Sequence, residues 1–194
     1  AHHNAADAPM AWIDGLDIPY SYYTETQFFE FGRDVLSPGE MVTPSFSQSE
    51  RLWAHPGLVP VAPDKSAKGS PLLAYRWQHT DEALAQQLSL ESEGYDATIE
   101  PGHAAVRFAD PRSGADVLPT LRCEMHRIAA GKKTAPSQVV GSSVVQVFDG
   151  SGTVTVGEHS WAVGRGDMFV VPSWQVLTIE SHGDQAESDS GVLD

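Results

Sequence analysis

Val147-Phe-Asp-Gly-Ser-Gly152, Thr153-Val-Thr-Val156, Trp161-Ala-Val163 and Gly166-Asp-Met-Phe-Val-Val-Pro172 decide the fold of this chain. Short β-branched runs separated by glycine turns read as successive antiparallel strands of a barrel or double sheet. Asp149-Gly150 is a hairpin signal, expected to pair Ser143-Val-Val-Gln-Val-Phe148 with Thr153–Val156. Gly157-Glu-His-Ser160 reads as the next turn, and Met168–Val171 as a buried strand. Towards the N-terminus, Ala104-Ala-Val-Arg-Phe-Ala109 reads as a strand ending in the turn Asp110-Pro-Arg-Ser-Gly114. A long alternating run follows from Val117 to Ile128.

Residues 104–194 thus read as a strand-built barrel, expected to be cut short at its end, while residues 1–103 read as a loop-rich extension with short helices. One helix is marked by Thr80-Asp-Glu, read as its cap and acidic first turn. Ala83, Leu84, Ala85, Leu88 and Leu90 follow, and Gly94 stops it. A weaker helical stretch covers Glu25 to Leu36.

The 194 residues suffice for one well-packed domain, and 41 % are hydrophobic. A net charge of −14 excludes an electrostatic footprint for nucleic acid or for an anionic membrane. No apolar run approaches membrane-spanning length, and the N-terminus lacks the pattern of a signal peptide. A single cysteine, Cys123, rules out an internal disulfide and fits a reducing, cytoplasmic compartment. Its alternating surroundings read as a buried strand position.

The barrel pattern resembles a cupin, a double-stranded β-helix or jelly-roll barrel. Metal-binding cupins write G-x5-H-x-H-x3-4-E-x6-G and then G-x5-P-x-G-x2-H. Counted from Gly131, the histidine positions are Ser137 and Val139, the glutamate position is Ser143, and the closing glycine is Gly150. From Gly166 the second motif reaches Pro172, Trp174 in place of glycine, and Leu177 in place of histidine. Aliphatic side chains cannot ligate, and an unassisted serine hydroxyl is a poor ligand for a divalent ion. The mainly β fold is therefore expected to be a cupin that binds no metal, with Trp174 filling the space a ligand would take.

His2, His3 and Asn4 open the chain, and Asp14 follows in Trp12-Ile-Asp-Gly-Leu-Asp17. A histidine–carboxylate pair can set a tautomer and present a hydrogen bond to an oxyanion or a metal-bound ligand. The stretch His2 to Pro19 resembles the segment between the two cupins of gentisate 1,2-dioxygenases, written W-H-D-H-G-N-x4-P-x2-W-x-D-G-L-D-x-P. Ser70-Pro-Leu-Leu-Ala-Tyr75, Thr134-Ala-Pro136 and Asp167-Met-Phe-Val-Val-Pro-Ser-Trp174 resemble its second cupin. Asn4 matches the family's asparagine and His2 the second histidine of its triplet, while Ala1 replaces the aspartate and His3 a glycine.

The resemblance implies the linker and C-terminal cupin of a bicupin that opens the ring of gentisate with O2 to give maleylpyruvate. It implies Fe(II) held outside this chain, with no metal or cofactor ligand within it, and His2 and Asp14 as the catalytic candidates. Salicylate and 1-hydroxy-2-naphthoate are alternative substrates, and a homotetramer is the implied assembly. The isolated chain is then expected to be inactive. A metal-free cupin that binds a small molecule, or serves oligomerisation, is the other reading. His126, His159 and His182 stand at no ligand spacing and read as surface or hydrogen-bonded residues. Trp53, Trp77 and Trp161 read as core or interface anchors.

Overall fold

Three helices and eight strands occur among the described residues of the computed structural model, which are 7, 9, 12–26, 46–61 and 70–182. The chain divides into two units, Ala1–Phe46 and Ser47–Asp194. In the first, a coil from Trp12 leads to α1 (Ile18–Tyr23), opened by Pro19 and closed at Thr24. Glu25 follows with φ 52° and Thr26 as coil, so the helix expected to start at Glu25 does not start there. The remainder of that expectation, 27–36, lies outside the described residues.

In the second unit α2 (Gln48–Trp53) is fixed by a reciprocal capping box between Ser47 and Glu50. Arg76 Nε donates to the same buried Glu50, which ties α2 to the start of α3 (Trp77–Ser92). That helix begins three residues before the expected cap. Arg76 holds the N-cap position, and the Thr80 side chain is buried with its hydroxyl turned back on the Arg76 carbonyl. Thr80 and Leu84 are the buried residues of this helix, so Thr80 serves its buried face and not its cap. Gly94 stops the helix as expected, with φ 95° and its N–H on the Glu91 carbonyl.

The strands are β1 (His103–Arg107), β2 (Glu124–Ile128), β3 (Ser137–Gln138), β4 (Ser143–Gln146), β5 (Ser151–Val156), β6 (His159–Gly164), β7 (Met168–Val171) and β8 (Val176–Ser181). They pair antiparallel as β1-β2, β3-β8-β5-β6 and β4-β7. This is the mainly β cupin architecture that the sequence pattern implies. Gly152, Val154 and Val156 alternate inward along β5, and Thr153 and Thr155 outward. Ile128, Val147, Val154, Val156, Val163, Phe169 and Val171 form one core, with Val145, Leu177 and Ile179 packed on it. Burying each such side chain contributes about 1.5–3 kcal/mol.

Several local expectations give way to this core. Gly150 is a turn residue with φ 83°, but β4 does not pair with β5 across it. β4 pairs with β7, placing Val144 opposite Val170 and Val145 opposite Phe169. In a jelly roll the chain crosses between two sheets, here from β4 to β5, so that each sheet's apolar face covers the other. The tight hairpin instead lies one turn later, where Gly157 at φ 59° joins β5 to β6. His159 is accordingly the first residue of β6, not part of a turn.

Met168–Val171 is half-buried in alternation rather than wholly buried. The long run from Val117 shortens to Glu124–Ile128. Pro119 can donate no ladder bond, and Asp116 draws Arg107 and Arg122 into ion pairs instead. Cys123, just before the strand, is exposed rather than buried. Of the tryptophans, Trp53 is buried and Trp77 packs on Phe148 with ring centroids 4.6 Å apart, while Trp161 is partly exposed.

Candidate functional site

The positions where a metal cupin carries ligands are brought together by the ladder of β3 and β8. Ser137 lies directly opposite Leu177, and Gln138 opposite Val176. Beyond β3, the Val139 carbonyl accepts the Trp174 N–H at 2.9 Å, and Gln138 Nε2 donates to the Trp174 carbonyl at 2.8 Å. Ser143, the glutamate position, opens β4 opposite Val171. The arrangement keeps the register of a cupin site and lacks its chemistry. Hydroxyl and aliphatic groups replace every imidazole and the carboxylate. Among the described residues no three His, Cys, Asp or Glu side chains converge to hold a metal ion.

Trp174 does not fill the barrel. Its residue is 59 % exposed, and its backbone sits at φ 66°, a left-handed conformation suited to the glycine of the cupin motif. The two hydrogen bonds to the end of β3 hold it there. The pattern located the position correctly, but the left-handed backbone turns the side chain towards solvent.

Of the two catalytic candidates, Asp14 stands exposed in the coil between Trp12 and Asp17. His2 lies outside the described residues, together with Ala1, His3 and Asn4.

The structure also assembles side chains that sequence spacing did not connect. His103 and His126 lie 23 positions apart, and the β1–β2 ladder brings His103 Nε2 to 3.0 Å from His126 Nδ1. Glu100 Oε1 lies 2.9 Å from His103 Nδ1, and Glu124 Oε2 lies 3.1 Å from His126 Nε2. Burial pushes the Glu100 carboxyl up, but the His103 hydrogen bond and the Ala135 N–H outweigh it and hold the group below its ordinary value. The only sequence signal was Glu-x-x-His at 100–103 and Glu-x-His at 124–126. Neither spacing reveals the pairing of the two strands.

A shallow groove of about 250 Å³ runs beside this row, between Ile99 and Arg122. Its polar walls are Arg107, Glu124 and His126. Arg107 and Arg122 both engage Asp116, which these guanidinium groups hold below the usual carboxylate range against partial desolvation. Elsewhere His182 Nε2 meets the Thr153 hydroxyl at 2.9 Å, as expected of a hydrogen-bonded histidine.

Comparison with known proteins supplies the family context. No family model matches the chain. It is 53 % identical over 181 residues to a gentisate 1,2-dioxygenase of a Streptomyces species, covering 93 % of this chain and 49 % of that protein. It is 28 % identical over 174 residues to a 1-hydroxy-2-naphthoate 1,2-dioxygenase of Nocardioides sp. strain KP7, covering 89 % and 42 %. Among solved structures, a salicylate 1,2-dioxygenase from Pseudaminobacter salicylatoxidans superposes with a TM-score of 0.82 at 52 % identity, covering 92 % of this chain and 50 % of that one. The chain therefore spans about half the length of the relatives it matches.

Proposed function

From the homology of this chain to one half of the gentisate/salicylate 1,2-dioxygenase bicupins, we propose that it is the linker and C-terminal cupin of a ring-cleaving Fe(II) dioxygenase. The observation that carries the reading is the agreement over 93 % of this chain with 49 % of a gentisate 1,2-dioxygenase. Residues 1–103 serve as the linker and extension, and 104–194 as the barrel. The substrate class is a small hydroxylated aromatic acid, with gentisate first and salicylate or 1-hydroxy-2-naphthoate as alternatives. O2 is the second substrate and maleylpyruvate the product from gentisate.

The residues at the cupin ligand positions of this chain do not fit the iron. Ser137, Val139, Ser143 and Leu177 stand at the cupin ligand positions, so the ion belongs to residues outside the chain. The contribution proposed for this chain is His2, as a hydrogen-bond donor to the bound substrate or oxygen, with Asp14 orienting it. The chain alone is inactive in this reading. No helix among the described residues is long and apolar enough to cross a membrane. A cytoplasmic homotetramer is the proposed setting. Association is supported by the outer face of β4–β7, where Val144, Val170 and Met168 are exposed together.

The test is the intact mass of the natural protein, followed by an oxygen-uptake assay. A mass roughly twice 20.9 kDa and gentisate-dependent O2 consumption are expected. His2→Ala and Asp14→Asn in that protein should lower kcat while leaving the fold intact. A native mass of 20.9 kDa would remove the dioxygenase reading. Unchanged turnover in both variants would remove the role given to His2 and Asp14.

A further inference from the structure

The β1–β2 ribbon places Ala105 opposite His126, and His103, two residues before Ala105, shares the face that carries His126. The two rings meet nitrogen to nitrogen, with His103 Nε2 3.0 Å from His126 Nδ1 and ring centres 5.2 Å apart. Each ring turns its other nitrogen to a carboxylate, His103 Nδ1 to Glu100 at 2.9 Å and His126 Nε2 to Glu124 at 3.1 Å. Glu100 is itself held, because its second oxygen accepts the Ala135 N–H at 2.7 Å.

Two neutral imidazoles carry one N–H each. An ionised carboxylate only accepts, so the two carboxylates draw both protons to the outer nitrogens. The inner nitrogens then turn two lone pairs to one gap. Moving either proton inward fills the gap but sets a bare nitrogen against a carboxylate. No placement of two protons satisfies all three contacts. A cation in the gap does, and it leaves both outer hydrogen bonds in place.

The donors select the kind of cation. Imidazole suits Zn(II), Cu(II) and Ni(II), whereas Mg(II) and Ca(II) take oxygen ligands. A histidine that ligates a metal ordinarily gives its other N–H to a carboxylate, carbonyl or water, and both rings here have a carboxylate in that place. With metal–nitrogen bonds of about 2.0–2.1 Å, two imidazoles on a tetrahedral ion have ring centres about 5.2 Å apart. The rings already stand at that separation. Tilting them about their centres opens the nitrogen pair to about 3.3 Å and makes the lone pairs converge. His103 is buried, while His126 is partly exposed and lines the groove beside Ile99 and Arg122, which gives an ion its path in. A net charge of −14 favours the approach of a cation.

We propose that His103 Nε2 and His126 Nδ1 bind one divalent transition-metal ion of the Zn(II) class, with Glu100 and Glu124 orienting the rings and water at the remaining positions. The ion cross-links β1 and β2. It uses none of the cupin motif positions, so the site stands or falls independently of the dioxygenase reading.

The test uses the 194-residue chain titrated with Zn(II), followed by long-range proton–nitrogen NMR of the histidine rings. This readout separates the pair from every other histidine. One equivalent of Zn(II) is expected to move His103 Nε2 and His126 Nδ1 together, with the outer nitrogens keeping their protons, and Mg(II) to move neither. His126→Ala, at a partly exposed position, should abolish the response of His103. Glu100→Gln keeps both ligands and should weaken Zn(II) binding about 10–100-fold. A response of one ring alone or of other histidines only, or equal affinity in both variants and the unaltered chain, would overturn the site. Rings that ignore millimolar Zn(II) would overturn it as well, and would leave a shared proton only.

Discussion

Ser137 and Leu177 face each other across β3 and β8 at the first and last ligand positions of the cupin pattern. The ladder thus preserves the geometry of a metal site whose ligands are absent. The directly opposed positions of an antiparallel pair are about 4.5–5.5 Å apart, close enough for two imidazoles to share an ion. Installing S137H, V139H and L177H together should create a site for about one Zn(II) or Co(II) per chain with roughly micromolar or tighter affinity. Isothermal titration reads this directly, with the unaltered chain as the reference. Failure of the triple variant to bind would mean that these positions do not converge in solution.

Gln87 closes an open sheet edge. From α3 its Nε2 donates to the Ala105 carbonyl at 3.0 Å, and its Oε1 accepts the Ala105 N–H at 3.1 Å. The side chain stands in for a neighbouring strand at this position. Gln87→Ala should destabilise the second unit by about 1–3 kcal/mol, because both backbone groups lose their partners. Gln87→Glu should lose only the donated half and fall between the two in urea denaturation. Equal stability of all three proteins would show that water satisfies this edge as well.

Acid should weaken the α2–α3 tie in a defined window. Glu50 is 3 % exposed, and its hydrogen bonds from Arg76 and Ser47 hold its carboxyl at about 2 rather than 4.5. A carboxyl depressed in the folded state contributes stability above its ordinary value and loses it as pH falls towards the folded value. The contribution is therefore complete above about pH 4.5 and drains between there and about pH 2. Glu50→Gln should flatten the urea midpoint against pH in that interval and lower it at neutral pH. A variant that keeps the slope of the parent would place the acid loss at other depressed carboxyls, such as Asp110 and Asp116.

Adjacent residues of β7 should respond in opposite ways. Phe169 is 6 % exposed in the core, and Val170 is 56 % exposed on the outer face. Phe169→Ala should cost about 3–5 kcal/mol, through lost burial and the cavity left behind. Val170→Ala in the isolated chain should stay within about 0.5 kcal/mol. Comparable losses at both positions would mean that the outer face is covered in solution, and size measurement by light scattering would then identify a self-associated form.

Legibility of the fold differed between kinds of feature. The β-rich cupin class, the helix ended by Gly94, and the motif positions with no metal ligands could be read from the chain. Each rests on residues close together in sequence, where glycine dihedral freedom, strand alternation and motif spacing act. The partner of each strand could not be read in this way. Asp149-Gly150 has the local form of a hairpin, yet β4 crosses to β7 because its apolar face must cover the opposite sheet. The exposure of Cys123 and Trp174 escaped for the same reason, since neighbours in sequence do not specify what lies across the barrel.

The amino-acid order by itself determined that Ser137, Val139, Ser143 and Leu177 stand where a cupin would hold a metal, since ligand chemistry is a property of residue type. Only the tertiary structure decided that His103 meets His126, that Gln87 caps the edge of β1, and that Trp174 stands in solvent. Those relations join residues far apart in the chain. Their energies are gained only when long-range strand pairing and core burial outweigh the entropy of bringing such segments together.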